Sequence, residues 1–167
     1  MIRSVNGKTP RVHPAAYVNE MAYVVGDVEI GEDSTVWPSA VIRGDDGQVR
    51  IGRDTHVQDG TIIHTFGPSQ IGDHVNIGHS VVVHSARIGD CCLIGNNATL
   101  LEYCEVGDYC VIGSNAVVLS GTKVPSHSFV VGAPAQIRPL AESQKRLISG
   151  DMRHFAELGQ QYKAQGL

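Results

Sequence analysis

The chain has 167 residues, 19 of them glycine, with 5 % aromatic side chains and a formal net charge of -4. That length fits one domain over residues 1–167, and the acidic balance excludes a nucleic-acid partner, because phosphate binding needs clustered Lys and Arg. No apolar run of about 18 residues is present to span a membrane, and the start, Met1 to Asn6, has no apolar secretory stretch, so the expected residence is cytoplasmic.

Residues 1 to 11 read as a lead-in with a turn at Asn6-Gly7. From about 12 to 135 a ladder of aliphatic residues follows with a spacing of six. Its rungs are Val12, Val18, Val24, Ile30, Val36, Ile42, Ile51, Val57, Ile63, Ile71, Ile77 and Val83. It continues through Ile88, Ile94, Leu100, Val106, Ile112, Val118, Val124 and Val130. Such a period predicts a parallel β-helix of hexapeptide repeats, an all-β fold with one short strand per hexad and three hexads per turn. Breaks in the period after Ile42 and Ile63 predict outward loops over 43–50 and 65–70.

Cys92, Cys104 and Cys110 each precede a rung by two, in the slot filled elsewhere by Ala40, Ala86, Ala98 and Ala116. They read as buried reduced thiols rather than a zinc or disulfide cluster. The coil is expected to end at Val131-Gly132-Ala133-Pro134-Ala135, where proline stops ladder hydrogen bonding. Over about 140–164 the period turns helical, with Leu140, Leu147, Ile148, Phe155, Leu158 and Tyr162 on one stripe. An amphipathic C-terminal α-helix, broken near Ser149-Gly150-Asp151, is expected to pack against the coil.

Of the eight histidines, His13, His74, His127 and His154 carry no pattern. The ladder relates His64, His79 and His84. His64 and His84 each follow a rung by one, and their rungs Ile63 and Val83 are three hexads apart. They therefore fall on the same outward face one turn apart, at about the 4.7–4.9 Å strand spacing, close enough to share a metal. His79 follows rung Ile77 by two, near the end of a different face. It is either a corner residue or the completing ligand of a neighbouring chain's site around a threefold axis. Three imidazoles leave the fourth zinc position open for water, as catalytic zinc does. Zinc is expected, and iron or cobalt suits the same donors. Gln58 and Asp59 lie on the face before His64, while Arg43, Asp45 and Asp46 open the first loop.

Together these residues resemble the γ-class carbonic anhydrase-like family of left-handed β-helix homotrimers. The matching stretches are Ile42-Arg43-Gly44-Asp45, Val57-Gln58-Asp59-Gly60 through His64, and Ile77-Gly78-His79 through His84, with the closing Val131 to Ala135. The resemblance implies reversible hydration of CO2 to bicarbonate, with His64 and His84 of one chain sharing a metal with His79 of the next. It further implies that Gln58 orients the reacting water, that Arg43 and Asp45 pair between subunits, and that Asp59 supports the boundary. The sequence departs from the family's founding members in the loop Thr65 to Gln70, which lacks their acidic proton-transfer segment. Asp46, or His56 in a position typically asparagine, is left to carry the proton.

Two competing functions share these features. One is a metal-dependent hydrolase or acyl-transfer protein acting on CoA esters. The other is a non-catalytic trimeric metal-binding assembly module.

Overall fold

A computed structural model of the chain describes residues 1–148 and 152–167. It is a solenoid of short parallel strands wound through about seven turns, and its strands divide between a 12-stranded and an 8-stranded sheet. The rungs stack in register as three columns. One runs Val24, Ile42, Ile63, Val83, Leu100, Val118. The second runs Val12, Ile30, Ile51, Ile71, Ile88, Val106, Val124. The third runs Val18, Val36, Val57, Ile77, Ile94, Ile112, Val130. From Val24 onward every rung is buried, and Val12 and Val18 pack against the core from its first turn. A single hexad cannot bury its own branched side chain, so each turn is stable only because the next covers it.

The glycine after each of many rungs marks where one coil presses on the next. A Cβ on Gly95 would stand 2.6 Å from the backbone nitrogen of Ser114, a distance real Cβ atoms do not adopt. The slot two before each rung is also lined inward. Ser34, Thr55, Thr61 and Ser69 donate their hydroxyls to backbone carbonyls of the following coil at 2.6–2.9 Å. Cys92 and Cys110 place their thiols in the same role, toward Gly107 O and Pro125 O at 3.1 Å. All four cysteines are free, and Cys92, Cys104 and Cys110 are buried, as the slot requires.

Three local expectations are corrected. The lead-in is not merely a loop: Ile2–Arg3 pairs in parallel with Val24 and Val25, ahead of the local turn at Asn6-Gly7. Residues 43–50 are not a separate loop. They lie within one strand, Val41–Ile51, which pairs with Tyr23–Ile30 at both ends, and its three extra residues bulge where the register jumps from Gly44 to Val49 opposite Gly26 to Val28. Nor does the chain leave the sheet at Pro134. It turns and returns as Gln136–Pro139, antiparallel to Ser128–Val131, because a terminal strand exposed to solvent has a free edge to be covered.

The helical stripe forms α1 (Glu142–Ile148) and α2 (Met152–Gln165), and the expected break at 149–151 lies outside the described residues. α2 seats Phe155 and Tyr162 against Trp37, and Tyr162 against Tyr17, with ring centroids 5.4–6.3 Å apart. Gly159 permits this approach, since a Cβ there would meet Thr35 Cγ2 at 2.7 Å. No helix among the described residues is long and apolar enough to cross a membrane.

Candidate metal centre

The strand Val41–Ile51 and its neighbours Ile62–His64 and Val82–His84 run parallel with Arg43, His64 and His84 in one register row. Because side chains alternate, the residue after each inward rung points outward, so the three form a column on one face. The imidazoles of His64 and His84 stack 5.3 Å apart at 16°. Phe66, from the loop between strands, sets its ring edge-on to both, at 5.0 Å and 4.9 Å.

Carboxylates gather around this column. Asp45 Oδ1 lies 3.5 Å from His64 Nε2 and Asp46 Oδ2 lies 3.8 Å from it. Ligand atoms of Asp45, Asp46 and His64 fall within 4.8 Å of one another. Arg43 donates from Nε and an amino group to Asp45 Oδ2 at 3.0 Å and 2.9 Å. Burial opposes the charge on Asp45, but the Arg43 hydrogen bond and its own backbone amide outweigh that cost and hold its carboxyl below the usual carboxylate range. Arg43 and Asp45 thus already pair within one chain. On the far side of the column, Glu102 Oε1 lies 2.8 Å from His84 Nδ1. Its own backbone amide and the Ser120 hydroxyl lower the Glu102 carboxyl.

Two polar atoms in this cluster stand out. His64 Nε2 and Asp45 Oδ1 are both buried and make no hydrogen bond. Native interiors rarely leave such atoms unsatisfied, and a cation between an imidazole nitrogen and its neighbours removes the penalty. The donor set therefore fits a metal.

His79 is elsewhere. It follows the strand Asn76–Ile77 of the 8-stranded sheet and stands at a corner, just before Ser80 in the left-handed backbone region (φ 56°). Its Nδ1 lies 3.1 Å from Asp59 Oδ2. Gln58, on the coil before, is buried and donates its amide to Asn76 Oδ1 at 2.7 Å. The candidate residues thus separate into two groups: Arg43, Asp45, Asp46, His64 and His84 on one face, and Gln58, Asp59 and His79 at another corner.

Residues 85–120 match the family model "Bacterial transferase hexapeptide (six repeats)". The chain is 38 % identical to a carbonic anhydrase of Geobacillus kaustophilus, over 98 % of this chain and 92 % of that protein. The chain belongs to the γ-class carbonic anhydrase-like family. It is also 34 % identical to Gamma carbonic anhydrase 1, mitochondrial, of Arabidopsis thaliana over 98 % of its length, spanning 63 % of that longer protein. Among solved structures, a hexapeptide transferase family protein of Anaplasma phagocytophilum superposes with a TM-score of 0.92 at 26 % identity, covering 96 % of this chain and 97 % of that one.

One residue offered above for proton transfer is buried within the chain. His56 is 0 % exposed, with Nδ1 2.9 Å from Thr35 Oγ1 and its ring 5.4 Å from Phe155 of α2. It belongs to the layer that docks the helix, on the 8-stranded sheet beside Asn76, and α2 covers it from solvent. Conversely, Phe66, Asn76, Glu102 and Ser120 join the site region without having been singled out from the sequence. Phe66 was the most legible of them, as a ring in a chain poor in rings. Glu102 follows rung Leu100 by two, not by one, so the offset that linked the histidines passed over it.

Proposed function

We propose that the protein is a metal-dependent carbonic anhydrase of the γ class, acting as a homotrimer with its sites between subunits. His64 and His84 of one chain and His79 of the next would hold the metal, with zinc the expected ion and iron or cobalt suited to the same donors. The observation that carries the reading is the orphaned pair, His64 Nε2 and Asp45 Oδ1, buried without hydrogen bonds beside a stacked second imidazole. The separation of His79 from that pair within one chain supports assembly, since the ligand set is complete only across a boundary.

When bound, the metal supplies Lewis acidity that lowers the pKa of water to about 7. The chain's own residues do the rest. Asp59 Oδ2 and Glu102 Oε1 lie 3.1 Å and 2.8 Å from Nδ1 of His79 and His84, where they would hold the hydrogen on Nδ1 and leave Nε2 of each as the donor atom. Gln58, its amide nitrogen committed to Asn76, keeps its carbonyl oxygen to orient the attacking water. Phe66 walls the paired imidazoles with an apolar surface suited to CO2 and restricts bulk water. Water adds to the carbon of CO2, one C–O π bond breaks to give bicarbonate, and the released proton goes to solvent. Asp46, 59 % exposed and 3.8 Å from His64, is the carboxylate placed to pass it on, in place of an acidic loop after His64. Arg43 offsets the charge of Asp45 so that the half-buried carboxylate is not left alone against the site.

The hexapeptide transferase similarity favours one competing reading, turnover of acyl-CoA esters. The matched repeats, 85–120, begin after all three histidines, so they reflect the coil rather than the candidate site. Metal-loaded protein is expected to hydrate CO2, and His79→Ala to abolish the activity. Equal rates for the two proteins would refute the proposal, and turnover of an acyl-CoA panel without CO2 hydration would replace it with the alternative.

A further inference from the structure

We propose that Glu102, clamped by Ser120, is the positioning residue that fixes the His84 ring so that Nε2 is the atom presented to the metal. The inference rests on the metal-site reading above and assigns to two further residues the support of one ligand.

His84, Glu102 and Ser120 lie on three successive coils and form an uninterrupted chain of contacts. His84 Nδ1 is 2.8 Å from Glu102 Oε1, and the Ser120 hydroxyl donates to Glu102 Oε2 at 2.9 Å. Both carboxylate oxygens are thereby used, one on each neighbouring coil. The backbone of this corner is fixed too, because Gly121 N donates to Glu102 O at 2.9 Å. A carboxylate only accepts, so its partner nitrogen must carry the hydrogen, and the lone pair of the imidazole falls on Nε2. Stacking on His64 and the edge of Phe66 set the plane of the ring, but neither distinguishes its two nitrogens. Only a polar partner does, and Glu102 is that partner.

The same device recurs at the other half-site, where Asp59 Oδ2 lies 3.1 Å from His79 Nδ1. Two histidines on different corners, each tied at Nδ1 by a carboxylate, are what a site built from Nε2 donors requires. Core packing does not account for the placement of Glu102, since its side chain is 32 % exposed, and among the described residues its ion-pair partner is His84.

The test is the zinc dissociation constant of the purified oligomer, measured by competition with a chromophoric chelator. Wild type, Glu102→Ala, Glu102→Gln, Ser120→Ala and His84→Ala are compared, with thermal midpoints of the metal-free proteins alongside. Glu102→Ala is expected to weaken zinc binding about 10–100-fold, as loss of a ligand's supporting partner does. Glu102→Gln should recover part of the loss, because its amide oxygen still accepts from Nδ1. Ser120→Ala should lose less than Glu102→Ala, and none of these three should move the metal-free midpoint. If His84→Ala loses zinc while Glu102→Ala binds it as tightly as wild type, the positioning role is overturned and the metal site stands. If wild type itself takes up no zinc, the metal reading falls and this inference with it.

Discussion

The sharpest consequence of the split between His64 with His84 and His79 is that two inactive variants should restore each other. His79→Ala keeps the stacked pair and loses the corner ligand. His84→Ala keeps the corner ligand and breaks the pair. Alone, each variant leaves every boundary one imidazole short, so both should retain almost no zinc after dialysis. When equal amounts are unfolded together and refolded, a boundary is complete only where a chain with an intact pair faces a chain with an intact His79. For random closed trimers that occurs at about one boundary in four, so the mixture should hold about a quarter of wild-type zinc per subunit. The structure makes the outcome specific, because His79 is bound to Asp59 on one sheet while His64 and His84 stack on the other. Metal content by mass spectrometry, with native mass spectra to show that mixed oligomers formed, provides the assay. Mixed trimers holding no more zinc than their parents would refute the shared site, as would a His79→Ala protein that keeps its full complement.

Three other outcomes test the scaffold and its electrostatics. Ile77, 0 % exposed in the middle of the third column between Val57 and Ile94, should cost about 2–5 kcal/mol on replacement by Ala in urea unfolding. A smaller shift than an exposed-site control would contradict the stacked core. Arg43→Leu should destabilise by about 1 kcal/mol near pH 7, a low figure because the Arg43 side chain is 43 % exposed and partly screened. Since the folded Asp45 carboxyl titrates below its unfolded value, that stabilisation is present above the unfolded pKa and is lost as pH falls through the lower folded one. The two proteins should therefore converge in acid, and a difference that persists there would exclude Asp45 as its source. Among the thiols, burial pushes Cys104 up to about 12, whereas the hydrogen bond with Cys92 brings Cys110 down to about 7. Cys110 is nonetheless 0 % exposed, so access decides: native protein should react with a thiol reagent at half-buried Cys91 alone, with the other three appearing on unfolding.

The spacing of aliphatic residues by itself determined the coil, its three columns and the stacking of His64 on His84, because a period of six leaves one way to bury every rung. It also determined that Cys92 and Cys110 face inward, since the slot they share with Ser and Thr sits between coils. Tertiary structure decided what the period does not encode. Residues 43–50 run on as strand at both ends, where Tyr23–Ile30 pairs with them, and bulge only between Gly44 and Val49, where that shorter strand has no residue to offer. The burial of His56 under α2 was not legible, because the contact joins residues about a hundred positions apart. Glu102 came to His84 from the next coil, a pairing between residues at different offsets from their rungs that only the stacked coils bring to 2.8 Å. Repetition is local and therefore legible in the order of residues. The partners of a polar side chain depend on which surfaces meet, and those are fixed only when the chain has folded.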